Sequence, residues 1–142
     1  MKIFFIAVLV VIGAAIASIF LLPSPERSAD NSDVLAAAGM HWHPQLEIYV
    51  KGEKIEIPQD IGLGAIHKPI HTHDDSGQGI IHMEFPGLVR RQDAALGQFF
   101  NNWNKDVGSF GTNMKMTVNG QENTEYENYV MRDGDKIVLS YE

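Results

Sequence analysis

The chain has 142 residues, a net charge of −7 at pH 7, a pI near 5.3 and no cysteine. That length allows one modest core plus an appendage, and the missing cysteines exclude thiolate zinc sites, iron–sulfur clusters, disulfides and thiol nucleophiles. The acidic balance disfavours nucleic acid as a partner, because neutralising phosphates needs a basic face.

Ile3 to Leu22 is an uncharged, almost wholly apolar run, long enough to cross a bilayer as a helix. Lys2 and the terminal amine precede it, and Glu26, Asp30 and Asp33 follow with Arg27 the one nearby cation. The positive-inside rule then places the rest of the chain outside the cytoplasm. A cleaved signal peptide is the alternative, given the small residues from Ala14 to Ser18. Residues 1–22 are therefore read as a transmembrane anchor, 23–39 as a linker and 40–142 as an extracytoplasmic domain. Prolines, serines and acidic residues in 23–39 suit an exposed tether, with a helical turn from Val34 to Ala38 as the one local element.

Leu46, Ile48 and Val50 alternate along one face, and Ile55 and Ile57 resume it after Gly52, which predicts a β-hairpin. His41 and His43 lie just upstream, at the rim of the sheet, where Pro44 interrupts the ladder. Residues 67–84, HKPIHTHDDSGQGIIHME, then hold four more histidines. In an extended backbone, side chains at i and i+2 share a face, so His71 and His73 can reach one ion, as can His41 and His43. Pro69 argues against a helix there. The run from Asp74 to Gly79 has turn chemistry, and Ile80 to Phe85 follows as a strand with Ile80, His82 and Glu84 on one face.

Leu96, Phe99, Phe100 and Trp103 recur at helical spacing and predict the single globular helix, with Asp93 as its N-cap and core packing as the use of its aromatic stripe. Met114, Met116 and Val118 alternate into Asn119-Gly120, and Ile137, Leu139 and Tyr141 alternate after Asp133-Gly134-Asp135, as closing strands.

All six histidines, His41, His43, His67, His71, His73 and His82, fall within this one region. Two HxH pairs and two further imidazoles in so short a span predict a metal site. Imidazole suits copper, zinc, iron and nickel. Copper is preferred here, from the all-imidazole set, the inferred exterior location and Met40 and Met83 beside two histidines, although such methionines more often fill cores. Zinc is the alternative: three histidines with an open fourth position resemble the site of α-class carbonic anhydrases, with Glu84 or Asp74 assisting a bound water. A Ser76–His73–Asp75 triad is disfavoured, because neighbours in one turn rarely reach the required geometry.

The order of elements, ending in YVMRDGDKIVLSYE, resembles the β-grasp architecture of ubiquitin-like and transcobalamin-C-terminal-like domains, with the histidine loop inserted between hairpin and helix. That resemblance implies an α+β fold, a β-grasp-like mixed sheet with one main helix, and it leans toward a binding module by analogy. The segments HWHPQLEIYVKG, IHTHDDSG, IIHME and LGQFFNNW are also similar to a group of membrane-anchored, histidine-rich archaeal and bacterial domains, a similarity that implies no activity. The reading is a membrane-anchored domain that binds copper, or alternatively zinc, in metal handling or as an accessory subunit of a larger membrane complex.

Overall fold

The computed structural model describes residues 31–142, and Ser32–Glu142 form one compact unit. The expected anchor over Ile3 to Leu22 lies outside the described residues, and among those no helix is long and apolar enough to cross a membrane. Among the described residues the architecture is α+β, with three sheets and one short α-helix.

The main sheet grows from the expected hairpin. Strands β3 (Gln45–Val50) and β4 (Glu53–Ile55) pair antiparallel, with Leu46 and Ile48 fully buried. The C-terminal strand β10 (Lys136–Tyr141) runs parallel to β3, from Lys136 opposite Gln45 to Tyr141 opposite Val50. On its other side β10 pairs antiparallel with β8 (Lys115–Val118), which continues through Asn119-Gly120 into β9 (Gln121–Glu122). The order is β4-β3-β10-β8-β9. Alternation buries Ile137, Leu139 and Tyr141 on one face of β10, as its period of two requires.

Helix α1 (Leu96–Asn102) belongs to the same core through Leu96, Phe99 and Phe100, each at most 1 % exposed. Burying one such side chain is worth about 1.5–3 kcal/mol, so the aromatic stripe is spent on packing. Asp93 does not cap this helix. It sits in the 3-10 turn Arg91–Ala94, where its carboxylate accepts from the Arg90 amide at 2.8 Å, and the residue before the helix is Ala95.

A second sheet carries the histidines: β2 (Met40–Trp42), β6 (His82–Phe85) and β5 (Ile70–His71), in the order β2-β6-β5 and antiparallel throughout. His41 is thus in a strand of its own sheet and not on the rim of the hairpin's sheet. Val34–Ala36, expected in a tether or a helical turn, forms strand β1 against β7 (Val89–Arg90). The cause is a partner distant in sequence: β7 supplies the ladder, and the Arg90 guanidinium meets the Asp33 carboxylate at 3.3 Å.

The two larger sheets are tied together beside Gly79. The Leu46 amide donates to the Gly79 carbonyl at 2.8 Å and the Ile81 amide to the Pro44 carbonyl at 3.0 Å. Gly79 has φ +80, and a Cβ there would run into the Leu46 carbonyl. Glycine permits both the left-handed turn and the close approach.

Ahead of β10, the buried Asp135 carboxylate accepts from the Asn119 side chain, the Tyr129 hydroxyl and the Arg132 amide at 2.7–2.9 Å. It fixes the turn that launches the central strand. Burial, together with this carboxylate, pushes the Tyr129 hydroxyl pKa up from its ordinary value.

Candidate functional site

The histidine surface is built on β6, the middle strand of its sheet. His82 and Glu84 take one face of that strand, while Ile81 and Met83 enter the core. Register sets His71 of β5 directly opposite His82, and His41 of β2 opposite Glu84. His43 lies just past the end of β2, where its amide donates to the Asp133 carboxylate at 2.8 Å.

The second HxH pair is held by the residue between its members. Thr72 is buried; its hydroxyl donates to the Pro58 carbonyl at 2.8 Å and accepts from the Ile61 amide at 3.0 Å. Its backbone amide donates to the Ile61 carbonyl and its carbonyl accepts from the Asp60 amide. Because neighbouring side chains in an extended segment point to opposite sides, anchoring Thr72 inward turns His71 and His73 together toward β6. The last residue of α1 contributes as well, with Asn102 donating to the Ile70 carbonyl at 2.7 Å. Gly62 (φ +76) lets its own turn pass close to the Ile70 carbonyl and the His71 Cβ. Thr72→Val should strip the Ile61 amide and the Pro58 carbonyl of their partner and lower stability by about 1–3 kcal/mol, read from denaturant unfolding.

All six imidazoles form one contiguous group. Ring centroids are 4.7 Å apart for His41–His43, 4.8 Å for His43–His82, 4.7 Å for His73–His82 and 4.8 Å for His71–His73. His67 meets His71 edge-on at 4.4 Å. Two triads have one nitrogen or more per ring within 4.8 Å of each other: His41, His43 and His82, and His71, His73 and His82. The expected convergence of His71 and His73 with a third histidine is present, while His67 belongs to neither triad.

The inner pair is the more ordered. His71 is fully buried, and its Nδ1–H donates to the Lys68 carbonyl at 3.0 Å, which makes Nε2 the lone-pair nitrogen of the neutral ring and the acceptor toward His73. That nitrogen lies 3.2 Å from His73 Nε2. Two nitrogens bound tetrahedrally to one ion at ordinary bond lengths are about 3.3 Å apart, so the pair is already near coordination spacing. Burial lowers the His71 pKa from its ordinary 6.5, against the Lys68 carbonyl, which raises it; the neighbouring His67 and His73 rings add to the lowering and Glu84 opposes it. An imidazole kept neutral is the form that binds a metal.

The sign of the resulting pH effect follows from where protons bind. With the folded pKa below 6.5, the unfolded chain carries more proton between the two values, so stability rises with pH in that window. The metal-free protein should therefore lose stability as the pH falls through about 6.5, and His71→Gln should flatten the Tm–pH curve there.

Two carboxylates touch the rings. Glu84 lies 3.3 Å from His41 Nε2, as expected of an acid on that face. The second is Asp75, not Asp74: both Asp75 oxygens lie 3.0–3.1 Å from His82 Nε2, while Asp74 is exposed. Asp75 thereby orients the His82 ring, a role the sequence offers to Asp74 or Glu84 and the turn gives to Asp75. The signal was available in the parity of His71, His73 and Asp75. With the Asp75 carboxylate turned to His82, the disfavoured Ser76–His73–Asp75 triad is not assembled. Met40 and Met83, considered as soft ligands, are core residues at 8 % and 0 % exposure.

The chain is thus an α+β domain with six neighbouring imidazoles, three of them, His41, His71 and His82, on the strands of a three-stranded sheet. No protein-family model, curated protein or solved structure matches this chain.

Proposed function

We propose that this is a membrane-anchored, extracytoplasmic domain that binds a transition metal, preferably copper, through its histidines, in metal handling or as an accessory subunit of a membrane complex. The observation that carries the reading is the 3.2 Å approach of His71 Nε2 to His73 Nε2, with His82 in the same triad and the His71 ring locked by the Lys68 carbonyl. Nitrogen-only sites favour Cu(II) over Zn(II) in the divalent affinity order. Anchoring rests on the apolar run from Ile3 to Leu22. The β-grasp-like reading of the fold is supported by the strand order β4-β3-β10-β8-β9 with its parallel β3–β10 centre and a helix in the connection.

A zinc hydration or hydrolysis site is the second reading. It is favoured by the exposed Glu84 beside His41, a carboxylate placed next to a three-histidine group that leaves a coordination position for water. One experiment separates them. The full chain, prepared without a histidine tag, should take up Cu(II) in preference to Zn(II) and give a nitrogen-ligated Cu(II) spectrum. Its zinc form should not accelerate carbon dioxide hydration. Fast hydration lost in His71→Ala would establish the enzyme reading in its place.

A further inference from the structure

We propose that the two triads are the outer and inner stations of a single-ion relay that turns on His82, so that a metal captured at His41 and His43 is handed to His71 and His73. The inference rests on the metal-binding reading above and adds to it a direction and a stoichiometry.

The first ground is that both triads need the same ring. His82 occupies the middle strand of its sheet, with His71 opposite it on one side and His43 beside it on the other. A neutral imidazole has one lone pair and one N–H. Asp75 takes the N–H at Nε2, which leaves one lone pair, and one lone pair serves one ion. The stations are therefore alternatives, and filling both would require the ring to lose its second proton and its bond to Asp75.

The second ground is the gradient of exposure. The His41 side chain is 63 % exposed and that of His82 15 %, and His71 is fully buried. An open cleft of about 830 Å³ is lined by His41, Glu84 and His67, so His41 meets solvent directly. An ion there meets flexible, hydrated ligands. The inner pair is preset by the Lys68 carbonyl and the Thr72 anchor, so less ordering remains to be done when it binds.

The third ground is continuity. His43 and His73 each place a ring within 4.8 Å of His82, on its two flanks. An ion held by His82 can exchange His41 and His43 nitrogens for His73 and His71 nitrogens one at a time. Each step breaks one metal–nitrogen bond and makes another between neutral rings with no change of oxidation state, and the His73 ring moves its proton from Nε2, where it faces His71 Nε2, to Nδ1 as Nε2 takes the ion.

The test uses the full chain in detergent micelles without a histidine tag, with Cu(II) alone as the probe. Stoichiometry is measured by titration against a chelator and loading by stopped-flow absorbance. One tightly held ion per chain is expected. The His41→Gln/His43→Gln double variant should keep that ion but load it about tenfold more slowly or worse, and His73→Gln should load at the normal rate yet surrender copper to the chelator. His41 and His43 lie outside the core, so the double variant is not expected to unfold. Two tight ions per chain would overturn the relay and leave metal binding standing. Unchanged loading in the double variant, or slowed loading in His67→Ala instead, would also overturn it by showing direct access to the inner pair. A chain that takes up no Cu(II) would overturn both readings.

Discussion

Replacing both His71 and His73 by alanine is expected to weaken Cu(II) binding by more than about a hundredfold, the upper end of what loss of a mere outer partner costs a metal site. The two rings bring imidazole nitrogens to coordination spacing, 3.2 Å, and His71 combines full burial with a ring fixed by the Lys68 carbonyl. What remains after the substitution is His41, His43 and His82, of which His41 is well exposed and must be ordered by the ion itself. Competition titration against a chelator of known affinity reads the change. Affinity within threefold of the parent, in a variant with an unaltered circular dichroism spectrum, would remove the inner pair from the site. Thr72 keeps its backbone anchors in this variant, so the loss of metal should exceed any loss of fold.

Gly79→Ala is expected to be the most damaging single substitution outside the histidines, costing about 3 kcal/mol or more. A non-glycine residue in the left-handed region costs about 1–2 kcal/mol. Here the added Cβ would also run into the Leu46 carbonyl, and relieving that contact means opening the Leu46–Gly79 or Ile81–Pro44 hydrogen bonds. These are the bonds that seat β6 on β3. His82 follows Gly79 by three residues, so displacement should reach the site as well as the core. Gly77→Ala is the control: no atom crowds that position, and the change should stay within about 0.5 kcal/mol. Parallel urea melts of the two variants check this, and equal midpoints would show that the junction carries no strain-sensitive packing.

The strands and helix that form the core were legible because each obeys a local period. Alternation marked β3, β8 and β10, the helical recurrence of Leu96, Phe99 and Phe100 marked α1, and Asn119-Gly120 marked a hairpin turn. Strand β1 was not legible, because Val34–Ala36 is extended only through pairing with β7, more than fifty residues away. Asp93 looked like a helix cap, yet the chain spends it on the preceding 3-10 turn, a difference of local winding that composition does not reveal.

For the site, the sequence by itself determined that six imidazoles crowd one region, that two pairs of them share faces, and that no thiolate competes. Those facts depend only on spacing and on the alternation of side chains along an extended backbone. Tertiary structure decided the rest. The pairing order β2-β6-β5 made His82 common to both triads, and the turn between His73 and Gly79 brought Asp75 to its ring while leaving Asp74 exposed. Which of two adjacent carboxylates reaches a histidine seven residues on depends on the dihedral angles of that turn. The turn in turn depends on how Gly79 docks against Leu46, a contact between segments that have no relation in sequence.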